Sequence, residues 1–188
     1  MKHLKNFKIF ESSIGQEVSI TDFLRKIRID ESKIPAISEW WSENRSEIKI
    51  HLFPFKSPRI MGVFLGIDTI CINDIGFLPP HVKLFLALHE SRHCDQHREG
   101  RFMSGYYDTV IAGDKAEFLK AYAELEKDAN DFAINSMREC GFVREMNMEE
   151  SRLRMNETMG NQVYDMMTQD INKFNPVDFT DLLKKQIL

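Results

Sequence analysis

The sequence predicts an α+β fold that is predominantly helical and carries a small sheet. Two observations predict it: apolar residues recur at steps of three and four residues along several long segments, and one short segment near residue 50 alternates between apolar and polar residues. The first pattern is typical of helices with one buried face, and the second of a half-buried strand. With 188 residues, 43% of them hydrophobic, the chain is long enough for one domain with a sizeable core.

Helices are expected first along the chain. Ser19 or Thr21 can cap a first helix, and Ser32 can cap a second helix that runs from about Pro35 to Arg45. Serine and threonine suit these positions because their side-chain oxygens accept hydrogen bonds from the free N–H groups of a first helical turn.

Three extended segments follow. In the first, Ile48, Ile50 and Leu52 alternate with more polar neighbours, which predicts a half-buried strand. Residues 59–65 and 67–72 are rich in apolar and β-branched side chains and predict two more strands. We therefore expect a small, three-stranded, mostly antiparallel sheet. A substrate strand is expected to pair with the exposed edge of this sheet, around residues 67–73.

Two long helices are predicted after the sheet. Pro80 suits the first turn of a helix that runs to about Arg98. Residues 101–113 carry no strong period and are expected to form a connecting loop. Asp114, with a glutamate three residues later, resembles a capping box that opens a helix to about Cys140.

The chain is expected to divide into two parts. Residues 1–141 form the main domain, and residues 142–188 form a helical C-terminal extension packed on it. Within the extension, the apolar pattern predicts short helices around residues 148–159, 162–174 and 178–187.

Charge balance and cysteine usage exclude several classes of protein. The 25 Lys and Arg residues against 29 Asp and Glu give a net charge of −4, and a mildly acidic chain lacks the basic surface typical of nucleic-acid binding. No apolar segment approaches the roughly 20 residues of a membrane span, and no secretory signal is evident. Three cysteines without a C-x-x-C pair argue against a disulfide framework. We expect a cytoplasmic protein with neither nucleic-acid nor membrane partners.

Residues 89–93, His-Glu-Ser-Arg-His, match the pattern H-E-x-x-H on the first long helix. Positions four apart are neighbours on a helix face, so His89 and His93 can present ring nitrogens to one ion at about 2.0–2.1 Å. Zinc is the expected occupant, because it takes nitrogen and carboxylate ligands. The alternative is a pair of core histidines satisfied by hydrogen bonds, since buried polar groups need partners.

The third ligand is expected to be a carboxylate on another element. His97 lies about 12 Å along the helix from the first histidine, too far to share one zinc ion. On the second long helix, Glu126 interrupts an apolar stripe, which turns it inward, although a salt-bridged surface position is the alternative. Asn130, four residues later, can accept the outer N–H of a zinc-bound imidazole. Glu124 and Asp128 are expected to face solvent.

The two long helices together resemble the H-E-x-x-H and E-x-x-A-N-x-F-A motifs of the ImmA/IrrE-type metallopeptidases, which are minimal gluzincins. The similar part covers about residues 48–140. This resemblance implies N-terminal helices, a small sheet, a zinc helix and a glutamate helix. It also implies that His89, His93 and Glu126 bind zinc and that Glu90 acts as the general base.

Zinc-dependent hydrolysis of a protein or peptide substrate is therefore the expected activity. Tyr106, Tyr107 and His97 are candidates for stabilising the negative charge that develops on the substrate. Two alternatives stay open. One is a zinc-containing binding or regulatory module without catalysis, and the other is a helical interaction protein without a metal.

Overall fold

The computed structural model describes residues 16–56, 60–101, 108–153 and 160–169. Four strands and seven helices lie in these residues, so the predicted α+β class is confirmed. The strands are β1 (Glu17–Val18), β2 (Lys49–Phe53), β3 (Gly62–Phe64) and β4 (Thr69–Asn73). The helices are α1 (Ile20–Lys26), α2 (Ile34–Asn44), α3 (Pro80–Arg98), α4 (Asp108–Ala112), α5 (Lys115–Glu139), α6 (Val143–Leu153) and α7 (Gly160–Gln169).

The sheet differs from the prediction of three mostly antiparallel strands. It has four strands in the order β1-β2-β4-β3, and the central pair, β2 and β4, is parallel. β3 folds back on β4 as an antiparallel neighbour, so β2 pairs with the other side of β4. All five residues of β4 are buried, because a central strand is covered on both faces. The expected substrate edge around residues 67–73 is therefore wrong: the outer strands are β1 and β3.

Three predicted helix starts have the expected local structure. The Ser19 hydroxyl caps α1 by accepting the Asp22 N–H at 3.1 Å. α3 begins at Pro80, and the Asp114 carboxylate caps α5 by accepting the Glu117 N–H at 3.0 Å. These ends depend on contacts within one helical turn, which explains why sequence alone can locate them.

Two local predictions were wrong. Ser32 does not cap α2, because its hydroxyl donates to the Asp30 carboxylate at 2.7 Å and Lys33 takes the cap position without a side-chain hydrogen bond. The expected loop over residues 101–113 contains the short helix α4.

α3 is the central helix of the fold. It packs against β3, β4 and α5, and most of its residues are buried, including the charged Lys83, whose ammonium group lies 2.9 Å from Asp74. The main core joins α1, α2, the sheet, α3 and α5, and takes Phe142 and Met146 from the segment after α5. A second cluster joins α4, α5 and α7.

The C-terminal extension is only partly described. α6 and α7 overlap the predicted segments 148–159 and 162–174, and α6 begins five residues earlier than expected. Residues 154–159 and 170–174, and the third predicted helix, 178–187, lie outside the described residues. α6 and α7 both pack on α5. Among the described helices, none is both long enough and apolar enough to cross a membrane.

Candidate metal centre

Three side chains from α3 and α5 converge on one point. The Nε2 atoms of His89 and His93 are 3.0 Å apart, His89 Nε2 is 3.3 Å from Glu126 Oε2, and His93 Nε2 is 3.6 Å from Glu126 Oε1. Ligands of one tetrahedral zinc ion are about 3.3 Å apart when each bond is about 2.0–2.1 Å. The His89, His93 and Glu126 group can therefore hold a metal ion.

The positions of the three donors follow from helix periodicity and burial. His89 and His93 lie one turn apart on α3, with their rings nearly perpendicular and 4.6 Å apart, and only 3% and 5% of their side chains are exposed. Glu126 lies in the middle of α5, which packs on this face of α3, and is 13% exposed. Glu126 was predicted to point into the protein, and its low exposure agrees with that prediction.

The outer ring nitrogens both contact amide oxygens. His89 Nδ1 lies 3.1 Å from Asn130 Oδ1, the contact predicted from the position of Asn130 one turn after Glu126. His93 Nδ1 lies 2.8 Å from Gln96 Oε1. A carbonyl oxygen only accepts, so each Nδ1 carries the proton when the ring is neutral and each Nε2 carries a lone pair. The two lone pairs face each other across 3.0 Å, an arrangement that a cation between them stabilises.

Burial and mutual charge shift the pKa values of the three donors in different directions. Burial alone would lower the pKa of His89, but the hydrogen bond and charge of Glu126 outweigh it and the pKa is raised. Burial would raise the pKa of Glu126, yet the contacts with His89 and His93 lower it. Burial lowers the pKa of His93 to about 4, and the neighbouring His89 charge adds to this effect. One positive charge is thus accommodated between the carboxylate and the two rings.

Glu90 lies beside the donor group but contacts the sheet instead. Its side chain faces β3, where the carboxylate accepts the backbone N–H of Phe64 and lies against Gly62. The residue is 8% exposed. Burial raises the pKa of Glu90 to about 7, with His89 opposing the shift and Glu126 adding to it. The middle carboxylate of the motif is therefore separate from the three donors.

No protein-family model, curated protein or solved structure matches this chain. The resemblance to ImmA/IrrE-type metallopeptidases stays a prediction that depends on the paired motifs.

Aromatic rings enclose the site. The Phe64 ring lies 5.4 Å from His93, and the Phe85 ring lies 6.0 Å from His89. The Tyr122 hydroxyl, one turn before Glu126 on α5, hydrogen-bonds to the Glu126 carboxylate. Apolar walls lower the local dielectric, so charges and hydrogen bonds inside the site are stronger than in water.

The remaining candidates from the sequence lie elsewhere. His97 is half-buried one turn beyond His93, with its ring 6.3 Å from Phe64, and it is not a member of the donor group. Tyr106 and Tyr107 lie outside the described residues. Glu124 is exposed, as expected.

The expectation that Asp128 faces solvent is wrong, because this residue is half-buried between α5 and α3. Its carboxylate accepts hydrogen bonds from Gln96 and Arg92 of α3, at 2.9 Å each, because α3 crosses this flank of α5. Gln96 and Tyr122 were also missed. Each had a signal in the sequence, since Gln96 follows His93 by three residues and Tyr122 precedes Glu126 by four, spacings that bring side chains together on a helix.

Proposed function

We propose that this protein is a zinc-dependent metallopeptidase. The observation that carries the proposal is the pair of facing Nε2 atoms, 3.0 Å apart, whose rings both turn Nδ1 towards amide oxygens. Two imidazoles and one carboxylate are a donor set that suits zinc. The group found among the described residues has three members, the usual number of protein ligands in a catalytic zinc site, whereas structural sites are closed by four.

A bound zinc ion supplies Lewis acidity, which lowers the pKa of water and polarises a carbonyl group. Glu90 is the residue that moves the proton: its carboxylate oxygen takes a proton from the attacking water and later gives it to the nitrogen of the leaving amine. The Phe64 N–H holds one side of this carboxylate against β3. The Phe64 and Phe85 rings add apolar surface beside the two imidazoles.

The experiment that tests this function combines metal analysis with one substitution. The purified full chain should contain zinc at close to one ion per chain and should cleave members of a mixed peptide library. Glu90→Gln should keep the zinc and lose at least about 100-fold in turnover, because a general base contributes about 10²–10⁴-fold. Glu124→Gln removes the same charge at an exposed position of α5 and should leave turnover unchanged.

Other outcomes identify the alternatives. Bound zinc without cleavage of any peptide, or equal turnover in the Glu90→Gln and wild-type proteins, would favour the non-catalytic zinc module. A chain that binds no zinc even when the ion is added would contradict both zinc functions.

A further inference from the structure

Gln96 connects the second histidine of the motif to the neighbouring helix. The residue is fully buried. Its amide oxygen lies 2.8 Å from His93 Nδ1, and its amide nitrogen donates to the Leu125 carbonyl and to Asp128 Oδ2, at 2.9 Å each. Because two acceptors on α5 occupy the NH₂ group, the amide cannot flip without losing both hydrogen bonds. The oxygen of Gln96 is therefore directed at His93.

Asp128 is itself held in place by two arginines. Its Oδ2 atom accepts Arg92 Nε at 3.1 Å and Arg92 Nη2 at 2.9 Å, and it also accepts a hydrogen bond from Arg101. Arg92 stands between the two histidines in the sequence and points to the flank of α3, where its Nη1 atom also reaches Glu99 at 2.8 Å. Charge-assisted hydrogen bonds of this kind are stronger than neutral ones.

We propose that Asp128 and Gln96 are positioning residues that fix the tautomer and ring orientation of His93, so that its Nε2 lone pair is presented to the metal. This inference rests on the proposed function, because it assigns a role to the metal site. The Asp128 carboxylate polarises the Gln96 amide, which makes its oxygen a better acceptor for the His93 Nδ1–H. Groups behind metal-binding histidines typically change metal affinity by about 10–100-fold when they are replaced.

The outer ring nitrogens of the two histidines contact different residues, so His89 can serve as a reference for changes at His93. His89 contacts Asn130, whereas His93 contacts Gln96 and, through it, Asp128. A change at Gln96 or Asp128 should therefore affect His93 and leave the tautomer of His89 as it is.

The test uses the full chain with the variants Gln96→Leu and Asp128→Asn. Gln96→Leu removes the acceptor and both donors at similar volume, and Asp128→Asn removes the charge but keeps Gln96 in place. Glu124→Gln is the matched control, since it removes one negative charge from an exposed position of α5. Thermal unfolding verifies that each variant is folded, and Asp128→Asn decides the question if Gln96→Leu does not fold.

Two measurements are made on each protein. Competition with a chromophoric chelator gives the zinc affinity, which should fall about 10–100-fold in Gln96→Leu and less in Asp128→Asn. Nitrogen-15 NMR of the histidine rings in the metal-free chain should show His93 as the Nδ1–H tautomer in the wild-type protein and as a mixture in Gln96→Leu, with His89 unchanged.

Each outcome decides for or against the proposal. Zinc affinity and His93 resonances equal to wild type in both variants would overturn it. A loss of affinity with unchanged His93 resonances would also overturn it, because that pattern indicates a general structural role. Failure of the proposed function is recognised separately, since the wild-type chain would then either bind no zinc or bind zinc without cleaving any peptide.

Discussion

Gly62 of the outer strand lies directly against Glu90. A methyl group at position 62 would lie 3.0 Å from both Cγ and Oε1 of Glu90, closer than van der Waals contact between such atoms. The absence of a side chain at this position lets the buried carboxylate approach the backbone of β3 and accept the Phe64 N–H.

Replacing Gly62 with alanine should therefore displace the Glu90 carboxylate and lower peptidase turnover by roughly 10-fold or more, since small displacements of a catalytic group are costly. Zinc content should not change, because the atoms nearest to the added methyl group all belong to Glu90 and not to the three donors. Gly76→Ala is the matched control, since nothing lies within 4 Å of the methyl group it adds. Equal turnover in both variants would contradict the role assigned to this contact.

Asn130→Ala should weaken zinc binding by about 10–100-fold, because the amide oxygen that holds the His89 ring is lost. Asn135→Ala removes the same residue type from an exposed position of α5 and should leave the affinity unchanged. Chelator competition measures both. A wild-type affinity in Asn130→Ala would show that Asn130 does not orient His89.

Removing the metal should destabilise the protein. Zinc at 1,000 times its dissociation constant adds about 4 kcal/mol to the free energy of unfolding, and in a chain of this size each kcal/mol shifts the melting temperature by about 2–4 °C. Thermal unfolding with excess zinc and with a chelator should thus differ by about 8–16 °C. The same comparison on a variant with His89 and His93 both replaced by alanine should show no difference, and a wild-type melting temperature insensitive to the chelator would contradict zinc binding.

Gly160→Ala tests the packing of α7 on the helix that carries Glu126. The added methyl group would lie 2.9 Å from atoms of Leu119 and Tyr122, and overpacking of this kind costs about 1–3 kcal/mol. Alanine is otherwise favoured over glycine in helices by at most about 1 kcal/mol, so the melting temperature should fall. Asn161→Ala, at an exposed neighbouring position, is the control. A rise in melting temperature in Gly160→Ala would mean that Tyr122 moves aside without cost.

The three cysteines should differ in reactivity. Cys71 and Cys94 are fully buried, and burial raises the pKa of each thiol. Cys140 is partly exposed, and burial raises its pKa to about 11, so few Cys140 thiols are ionised at pH 8. Brief alkylation followed by mass spectrometry should find slow labelling at Cys140 alone, and labelling at all three sites after unfolding. Rapid native labelling of Cys71 or Cys94 would contradict their burial.

The sequence predicted those parts of the fold that depend on short-range patterns. α3 begins at Pro80 and α5 is capped by Asp114, as expected from the preference of proline for a first turn and of aspartate for the cap position. Helix periodicity also predicted that Glu126 faces the two histidines, because the apolar stripe on each helix indicates which faces pack together. The starts of the two helices and the direction of their apolar stripes were sufficient to predict the candidate donor group.

The order of the sheet and the surroundings of His93 could not be predicted in the same way. In the sheet, β4 lies between β2 and β3, although β3 comes before β4 in the sequence. No local sequence pattern indicates which strands become neighbours. Asp128 was assigned to solvent from its angle on an isolated helix, but α3 covers that flank and brings Arg92 and Gln96 to it. Contacts across two helices depend on their crossing, which is a tertiary property.

The unequal distribution of the metal donors along the chain has a consequence for folding order. His89 and His93 lie within one turn of a single helix, whereas Glu126 joins them only when α5 docks. An ion bound by the histidine pair would stabilise a nascent α3, since the first helical turns are the costly ones, and would then favour the later docking of the glutamate helix. If the proposed site binds an ion, uptake would therefore begin at the histidine pair and be completed when α5 docks.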